Sequence, residues 1–469
     1  MTDLAPLFRR IADYAATYRA GANGRPHKPG VSAEAAQARF NAPAPERGAA
    51  IEDVIEELIA LTEPGLAAMT GPRFFGWVIG GSAPAGVAAD WLASVWGQNT
   101  GNALASPSSS ACEEIAARWL LDLLHLPEES SVGFVTGATM ANFTCLAAAR
   151  GDVLRRVGWD VEADGMFDAP PIHVVLGEEA HSTVFSALKY LGLGYRRVVS
   201  VPVTCEGVMR ADAFAQAIAG LEGPIIAITQ AGHINSGAFD PIGEIADIAH
   251  AKGAWVHVDG AFGLWGRAAS DIAPRLQGVE KADSWGVDGH KWLQTPYDSG
   301  YAIVRHADAH RRAMLIAASY LPAQEGSRHP ADYVPELSRR ARGFATWAMI
   351  KALGREGIAE MVSRMSAQAR RMAQRLAQEP GVEIMNEVVL NQVAVRFGAD
   401  LDAAKADDLT NRTIARIQRE GECFVGGANW RGRQIVRISV CGASTTDADI
   451  DRSADAMLSA WRAERGADL

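Results

Sequence analysis

The sequence predicts an α/β protein: a large domain built on a mostly parallel sheet covered by helices, followed by a smaller α+β domain. Three observations carry this. From about 105 to 310, short apolar runs bounded by glycine or acid alternate with helical stretches, at a spacing that suits β-strands joined by crossover helices. After about 345 the alternation gives way to long helical stretches and two further apolar runs. The chain has 469 residues, of which 48% are hydrophobic, enough for one large α/β core with appendages.

The elements follow in order. Residues 1–75 form an N-terminal helical segment. Apolar residues at 51, 54, 55, 58 and 59 fall on one helical face, and the Gly/Pro/Ala-rich stretch 20–45 is expected to be an extended connector. Residues 76–345 form the large domain. Its strands are expected at 132–136, 172–176, 224–229, 254–258 and 301–304, with helices at 139–150, 181–191 and 241–252. Asp240 is the expected N-cap of the last helix, with Pro241 at its first position. Residues 346–469 form the small C-terminal domain. It has a helix-rich region at 345–379, a segment at 383–396, a helix at 402–420, a run at 433–440 and a final helix opening at Thr446.

Composition excludes several functions. The net charge of −10 argues against nucleic acid and anionic membrane as main partners. No apolar run approaches the ~18 residues of a membrane span, and the N-terminus shows no signal peptide. Five dispersed cysteines without a CxxC pair read as reduced thiols in a cytoplasm. GxGxxG, Walker A, HExxH and GxSxG are all missing, so dinucleotide, nucleotide, zinc-protease and serine-hydrolase chemistry have no local support, and no metal site is expected.

One set of residues does carry chemistry. Asp259 closes the apolar run 254–258, where open α/β sheets bind ligands. Lys291 sits among Trp285, His290, Trp292 and Leu293, which is not a solvated loop. An amine and a carboxylate at strand ends match the needs of pyridoxal 5'-phosphate (PLP): a lysine for the Schiff base and an acid for the pyridinium nitrogen. The turn Gly137-Ala138-Thr139 joins a strand to a helix and can aim backbone N–H groups and a hydroxyl at a phosphate. His181 opens another helix, placed to stack on a cofactor ring and handle protons. Taken singly, each residue has an ordinary alternative: a surface lysine, a capping or metal-binding aspartate, a common αβ turn, a structural histidine.

In series, these segments resemble the group II PLP-dependent decarboxylases, the fold-type-I set that includes aromatic-L-amino-acid, glutamate and histidine decarboxylases. The resemblance runs from about residue 50 to the C-terminus. It is carried by Ser106-Pro107, Gly137-Ala138-Thr139, Ala180-His181-Ser182-Thr183, His257-Val258-Asp259-Gly260-Ala261, Asp283-Ser284, His290-Lys291-Trp292 and Arg437-Ile438-Ser439-Val440. It implies a seven-stranded, mostly parallel sheet and a homodimer. It makes Lys291 the Schiff-base lysine, His290 its phosphate-contacting neighbour, and Ala138 and Thr139 the phosphate turn. His181 becomes the ring-stacking histidine, Asp259 the pyridinium partner, and Ala261 the small residue on the ring's other face. Asp288 takes the place of a cofactor-contacting residue that is often Asn.

Tyr320, in Ala317-Ala318-Ser319-Tyr320-Leu321-Pro322, matches the family's catalytic-loop tyrosine, which returns a proton to the substrate carbon. It implies simple decarboxylation of an L-amino acid to the amine and CO₂. Transamination, aldol cleavage and oxidative deamination to an aldehyde are the alternatives on the same fold. The chain departs from the family at Gly232-His233-Ile234-Asn235, where Gly-Thr-Thr is common, and at Gly260, where Ala is usual. The roles of His233, Asn235 and Arg437 stay open. The aromatic stretch Phe74, Phe75, Trp77, Trp91 and Trp96 could line a pocket for an aromatic substrate, or serve as core.

Overall fold

Strands buried on both faces need apolar side chains on both faces, and the central runs of this chain meet that need. Ile225–Gln230 and Trp255–Asp259 are buried at every position. The computed structural model of the protein describes residues 3–315 and 328–466. The chain divides into two compact units. One comprises Met1–Gly81, Arg371–Ile384 and Val395–Leu469, and the other Ser82–Arg370 with Met385–Ala394.

The second unit holds a seven-stranded sheet. Its strands are β1 (Ser131–Val135), β2 (His173–Gly177), β3 (Val199–Val201), β4 (Ile225–Gln230), β5 (Trp255–Asp259), β6 (Ser284–Asp288) and β7 (Gly300–Val304). They lie in the order β1-β7-β6-β5-β4-β2-β3. Every pairing is parallel except those of β7, which is antiparallel to both neighbours. Because β1 and β6 both oppose β7, they share the direction of the parallel set. The C-terminal ends of β1, β2, β4, β5 and β6 therefore meet at one sheet edge.

The helix Ala138–Arg155 follows β1 and lies on β5, β6 and β7. Its buried face is built from small residues, among them Ala141, Ala147, Ala148 and Ala149. Close approach explains them. A Cβ at Gly286 of β6 would collide with Asn142 Oδ1, and one at Gly300 of β7 would lie 2.5 Å from Gly137 Cα.

The expected strands and helices of this unit appear within a few residues of their predicted bounds. Two strands were not anticipated. β6 (Ser-Trp-Gly-Val-Asp) lacks an apolar run, and its strand character comes from lying between β5 and β7. β3 has only three residues.

The expected cap at Asp240 is corrected. The helix is Ile242–Ala251, and its N-cap is Pro241. The Asp240 carboxylate instead accepts the N–H groups of Met209 and Gln230, both at 2.7 Å. Two long-range amides outcompete one local cap, and burial pushes the carboxyl up to about 6.

The first unit contains β8 (Val382–Ile384), the last three residues of β9 (Gln392–Phe397), β10 (Gly426–Trp430) and β11 (Arg433–Ser439) of a four-stranded sheet ordered β10-β11-β9-β8. The helices Ala403–Glu420 and Asp447–Gly466 belong to it, as does the amphipathic helix Ile51–Thr62. The stretch expected as an extended connector contains the helix Ala33–Phe40, capped by Ser32 Oγ accepting the Ala35 N–H at 3.1 Å. Phe74 and Phe75 are core residues, and Phe74 stacks on Phe424 at 4.7 Å. Trp77 is 52% exposed. Arg437, on β11, is half-buried, and burial lowers its proton affinity.

Candidate active site

The site grows from the ends of β5 and β6. Alternation along a strand puts residues two apart on the same face, so His257 and Asp259 of β5 both face the helix Ala138–Arg155. One turn into that helix stands Asn142. Its Nδ2 donates to Asp259 Oδ2 at 3.2 Å, and its Oδ1 lies 3.1 Å from His257 Nε2. Behind the histidine, Ser284 Oγ lies 2.9 Å from His257 Nδ1 and accepts from Trp255 Nε1 at 2.9 Å.

These contacts fix the direction of every hydrogen bond. Asn142 Oδ1 can only accept, so His257 carries its proton on Nε2. Its Nδ1 then accepts from Ser284. Burial pushes His257 down to about 3, so the ring is neutral. Trp255, Ser284, His257 and Asn142 thus form a buried chain of donors ending on Asp259. The other carboxylate oxygen, Oδ1, accepts the Ala261 N–H at 3.3 Å. The Asp259 carboxylate is held by donors on both oxygens.

A second cluster surrounds Asp288 at the end of β6. Its Oδ1 accepts the Ala138 N–H at 2.6 Å, and its Oδ2 is 2.8 Å from Lys291 Nζ. Asp288 is buried and Lys291 partly buried, their side chains 3% and 15% exposed. His290 Nε2 lies 3.7 Å from Asp288 Oδ1, and His290 Nδ1 lies 2.8 Å from the Ser299 carbonyl. Burial lowers the proton affinity of His290, helped by the Lys291 charge and opposed by Asp288. The Tyr297 ring covers His290 at 4.4 Å. The backbone of Asp288 is pinned by Trp265 Nε1 donating to its carbonyl at 2.9 Å and by its own N–H on the Ala261 carbonyl at 2.9 Å.

The structure thus brings Lys291, Asp288, Ala138 and His290 into direct contact, and sets Asp259 and Ala261 at the end of the adjacent strand. Thr139 is exposed in the first turn of the helix Ala138–Arg155. His181 is the N-cap of the helix Ser182–Tyr190 after β2, with its Nδ1 2.8 Å from Thr183 Oγ1. Tyr320 lies outside the described residues.

His233 is buried in the loop after β4. Its Nε2 lies 3.1 Å from Glu179 Oε2, and its Nδ1 faces the N–H groups of Asn235 and Ser236 at 3.4 and 3.3 Å. Glu179 stands two residues before His181, and its carbonyl accepts from Gln230 Nε2 at 3.2 Å. The pair therefore ties the His181 loop to the end of β4. The roles of Asn142, His257, Ser284 and Glu179 were missed from sequence. The first two had a signal: a histidine two residues before the acid on one strand, and an amide one turn into the helix after the phosphate turn.

The donor set fits PLP. It supplies an amine, a carboxylate held by N–H donors, and the N-terminus of an 18-residue helix suited to an anion. No group of His, Cys, Asp and Glu among the described residues could hold a metal ion.

Comparison with known proteins points the same way. Residues 34–398 match the model of the pyridoxal-dependent decarboxylase conserved domain. Tryptophan decarboxylase 1 of Oryza sativa subsp. japonica is 27% identical, the alignment covering 96% of this chain and 92% of that protein. The aromatic-L-amino-acid decarboxylase of Mus musculus is 26% identical over 97% of this chain and 98% of its own. Among solved structures, Oryza sativa TDC with PLP and tryptamine superposes with a TM-score of 0.91 at 23% identity, covering 98% of each chain, which shows a shared fold.

Proposed function

The chain belongs to the pyridoxal-dependent decarboxylase family, and from that premise we propose that it removes the α-carboxyl of an aromatic L-amino acid, releasing the amine and CO₂. The observation that carries the reading is the placement of Lys291 just past the end of β6, next to β5, whose end carries Asp259 with a donor on each carboxylate oxygen. The names of its relatives, tryptophan and aromatic-L-amino-acid decarboxylase, support the aromatic side chain.

When bound, PLP supplies an electron sink for the pair released as the carboxyl departs. The chain's residues do the rest. Lys291 Nζ would hold the cofactor covalently. The Asp259 carboxylate would hold the proton of the bound ring's nitrogen, an electrostatic stabilisation of the developing charge. The donor chain behind it holds that carboxylate fixed. Ala138, Thr139 and His290 bind the phosphate. His181 and Ala261 would hold the ring from its two faces. Tyr320, with His181, returns a proton to the substrate carbon.

A homodimer is part of the proposal. On the helix Ile51–Thr62, Ile51, Val54 and Leu58 are about half exposed along one stripe. On the helix Pro84–Trp96, Trp91 and Val95 are 42% and 63% exposed. Apolar stripes of this kind suit burial against a second copy, and sedimentation of the holoenzyme tests it. No helix among the described residues is long and apolar enough to cross a membrane. The cysteines, all unpaired, support a cytoplasmic location.

A panel of amino acids scored for CO₂, amine, aldehyde and keto acid tests the reaction. Equal amounts of CO₂ and amine from an aromatic substrate are expected. Aldehyde with ammonia, or keto acid without CO₂, would overturn decarboxylation to the amine.

A further inference from the structure

Asp288 stands where a phosphate is expected to dock, and it is itself an anion. Its carboxylate is 3% exposed and has two charged or polar partners at short range, the Ala138 N–H at 2.6 Å and Lys291 Nζ at 2.8 Å. A Cβ built on Gly137 would lie 3.2 Å from Asp288 Oδ1 and 3.2 Å from His290 Cε1, so carboxylate and imidazole pack directly against the turn. His290 stands 3.7 Å from Asp288 Oδ1, and its proton affinity is lowered by burial. Among the described residues, the Lys291 ammonium is thus the cation paired with this carboxylate.

We propose that Asp288 is a loading clamp: in the cofactor-free chain it ties the phosphate turn to the cofactor lysine, and PLP enters only as the carboxylate gives up the Ala138 amide to the phosphate and releases Lys291. The inference rests on the reading of Lys291 as the cofactor lysine. Its physical content is a competition between two anions for one amide. A carboxylate held by backbone contacts at Trp265 and Ala261 cannot retreat far, so it stays close to the phosphate and repels it. Asp288 acts through the turn and the lysine, which makes it a positioning residue for loading rather than a catalytic one.

The test compares PLP with pyridoxal, which has the same ring and aldehyde but no phosphate. Cofactor-free wild-type protein and the Asp288→Asn and Asp288→Ser variants are titrated with each, following the visible band and the quenching of tryptophan fluorescence. Both neutral variants are expected to bind PLP about tenfold more tightly than wild type, the equivalent of about 1.4 kcal/mol, and pyridoxal, which gains only from the freed Lys291, by a clearly smaller factor. A purely structural aspartate would shift both ligands together.

Unchanged PLP affinity, or equal shifts for PLP and pyridoxal, would overturn the proposal. So would failure of both neutral variants to fold, which would place the charge in the stability of the domain. If instead wild-type protein takes up no PLP, the family reading of the site fails, and the result is told apart from failure of the clamp.

Discussion

The two ends of the site are built on opposite plans. At the end proposed for the pyridine ring, Asp259 closes a buried chain running from Trp255 through Ser284, His257 and Asn142, with every link between 2.9 and 3.2 Å. Each polar group there has a partner, and the direction of every proton is set. At the phosphate end, Asp288 holds the amide and the amine that the cofactor needs. The first end is preorganised and the second must exchange partners. A rigid carboxylate suits a charge that has to persist through the reaction, and an exchangeable one suits a step taken once, at loading.

The comparison breaks first at Asp259. Asp259→Asn removes the charge proposed to face the ring nitrogen and is expected to lower kcat by about 10²–10³-fold, with PLP still bound through Lys291. Steady-state kinetics beside the absorption spectrum check both halves.

Asn142→Ala strikes the middle of the chain. It leaves His257 Nε2 without an acceptor and Asp259 Oδ2 without this donor, in a site too tight for easy repair. A loss of about 1–3 kcal/mol in folding stability is expected, read by chemical denaturation of the cofactor-free protein.

The third way is through pH. His257 is neutral when folded, with a pKa near 3, against about 6.5 when unfolded. The unfolded chain therefore binds the extra proton, and this residue's stabilisation is lost as pH falls from about 6.5 toward 3. Over that window the contribution approaches 1.4 kcal/mol per pH unit. His257→Gln is expected to flatten the pH dependence of stability there by about one proton. An unchanged slope would mean that the histidine is already charged in the fold.

The smallest effect is expected at the loop tie. Glu179→Gln keeps a hydrogen bond to His233 and removes its charge assistance. It should raise KM or lower kcat by a few-fold through the His181 loop, with stability changed by about 1 kcal/mol or less.

Much of this was legible in the sequence because it is local. Ile225–Gln230 and Trp255–Asp259 announce themselves as buried strands, the Gly137 turn announces a helix start, and Asp259 and Lys291 stand out for their chemistry. What stayed hidden depends on distant parts of the chain. β6 carries Asp288 and leads to Lys291, yet Ser-Trp-Gly-Val-Asp has no strand pattern of its own. Its neighbours impose the extended form, and its glycine admits Asn142. Asn142 and His257 are 115 residues apart, so their bond has no local signature. Asp240 shows the same limit, since the local cap rule lost to amides on Met209 and Gln230.

The central claim is that Lys291 carries PLP at the end of β6, beside the fixed carboxylate of Asp259. Loading the protein with PLP, reducing it with borohydride and mapping its peptides by mass spectrometry tests this directly. The pyridoxyl label is predicted on Lys291, with no label recovered from Lys291→Ala. A label on another lysine such as Lys281 or Lys351, or one that persists in that variant, would contradict it.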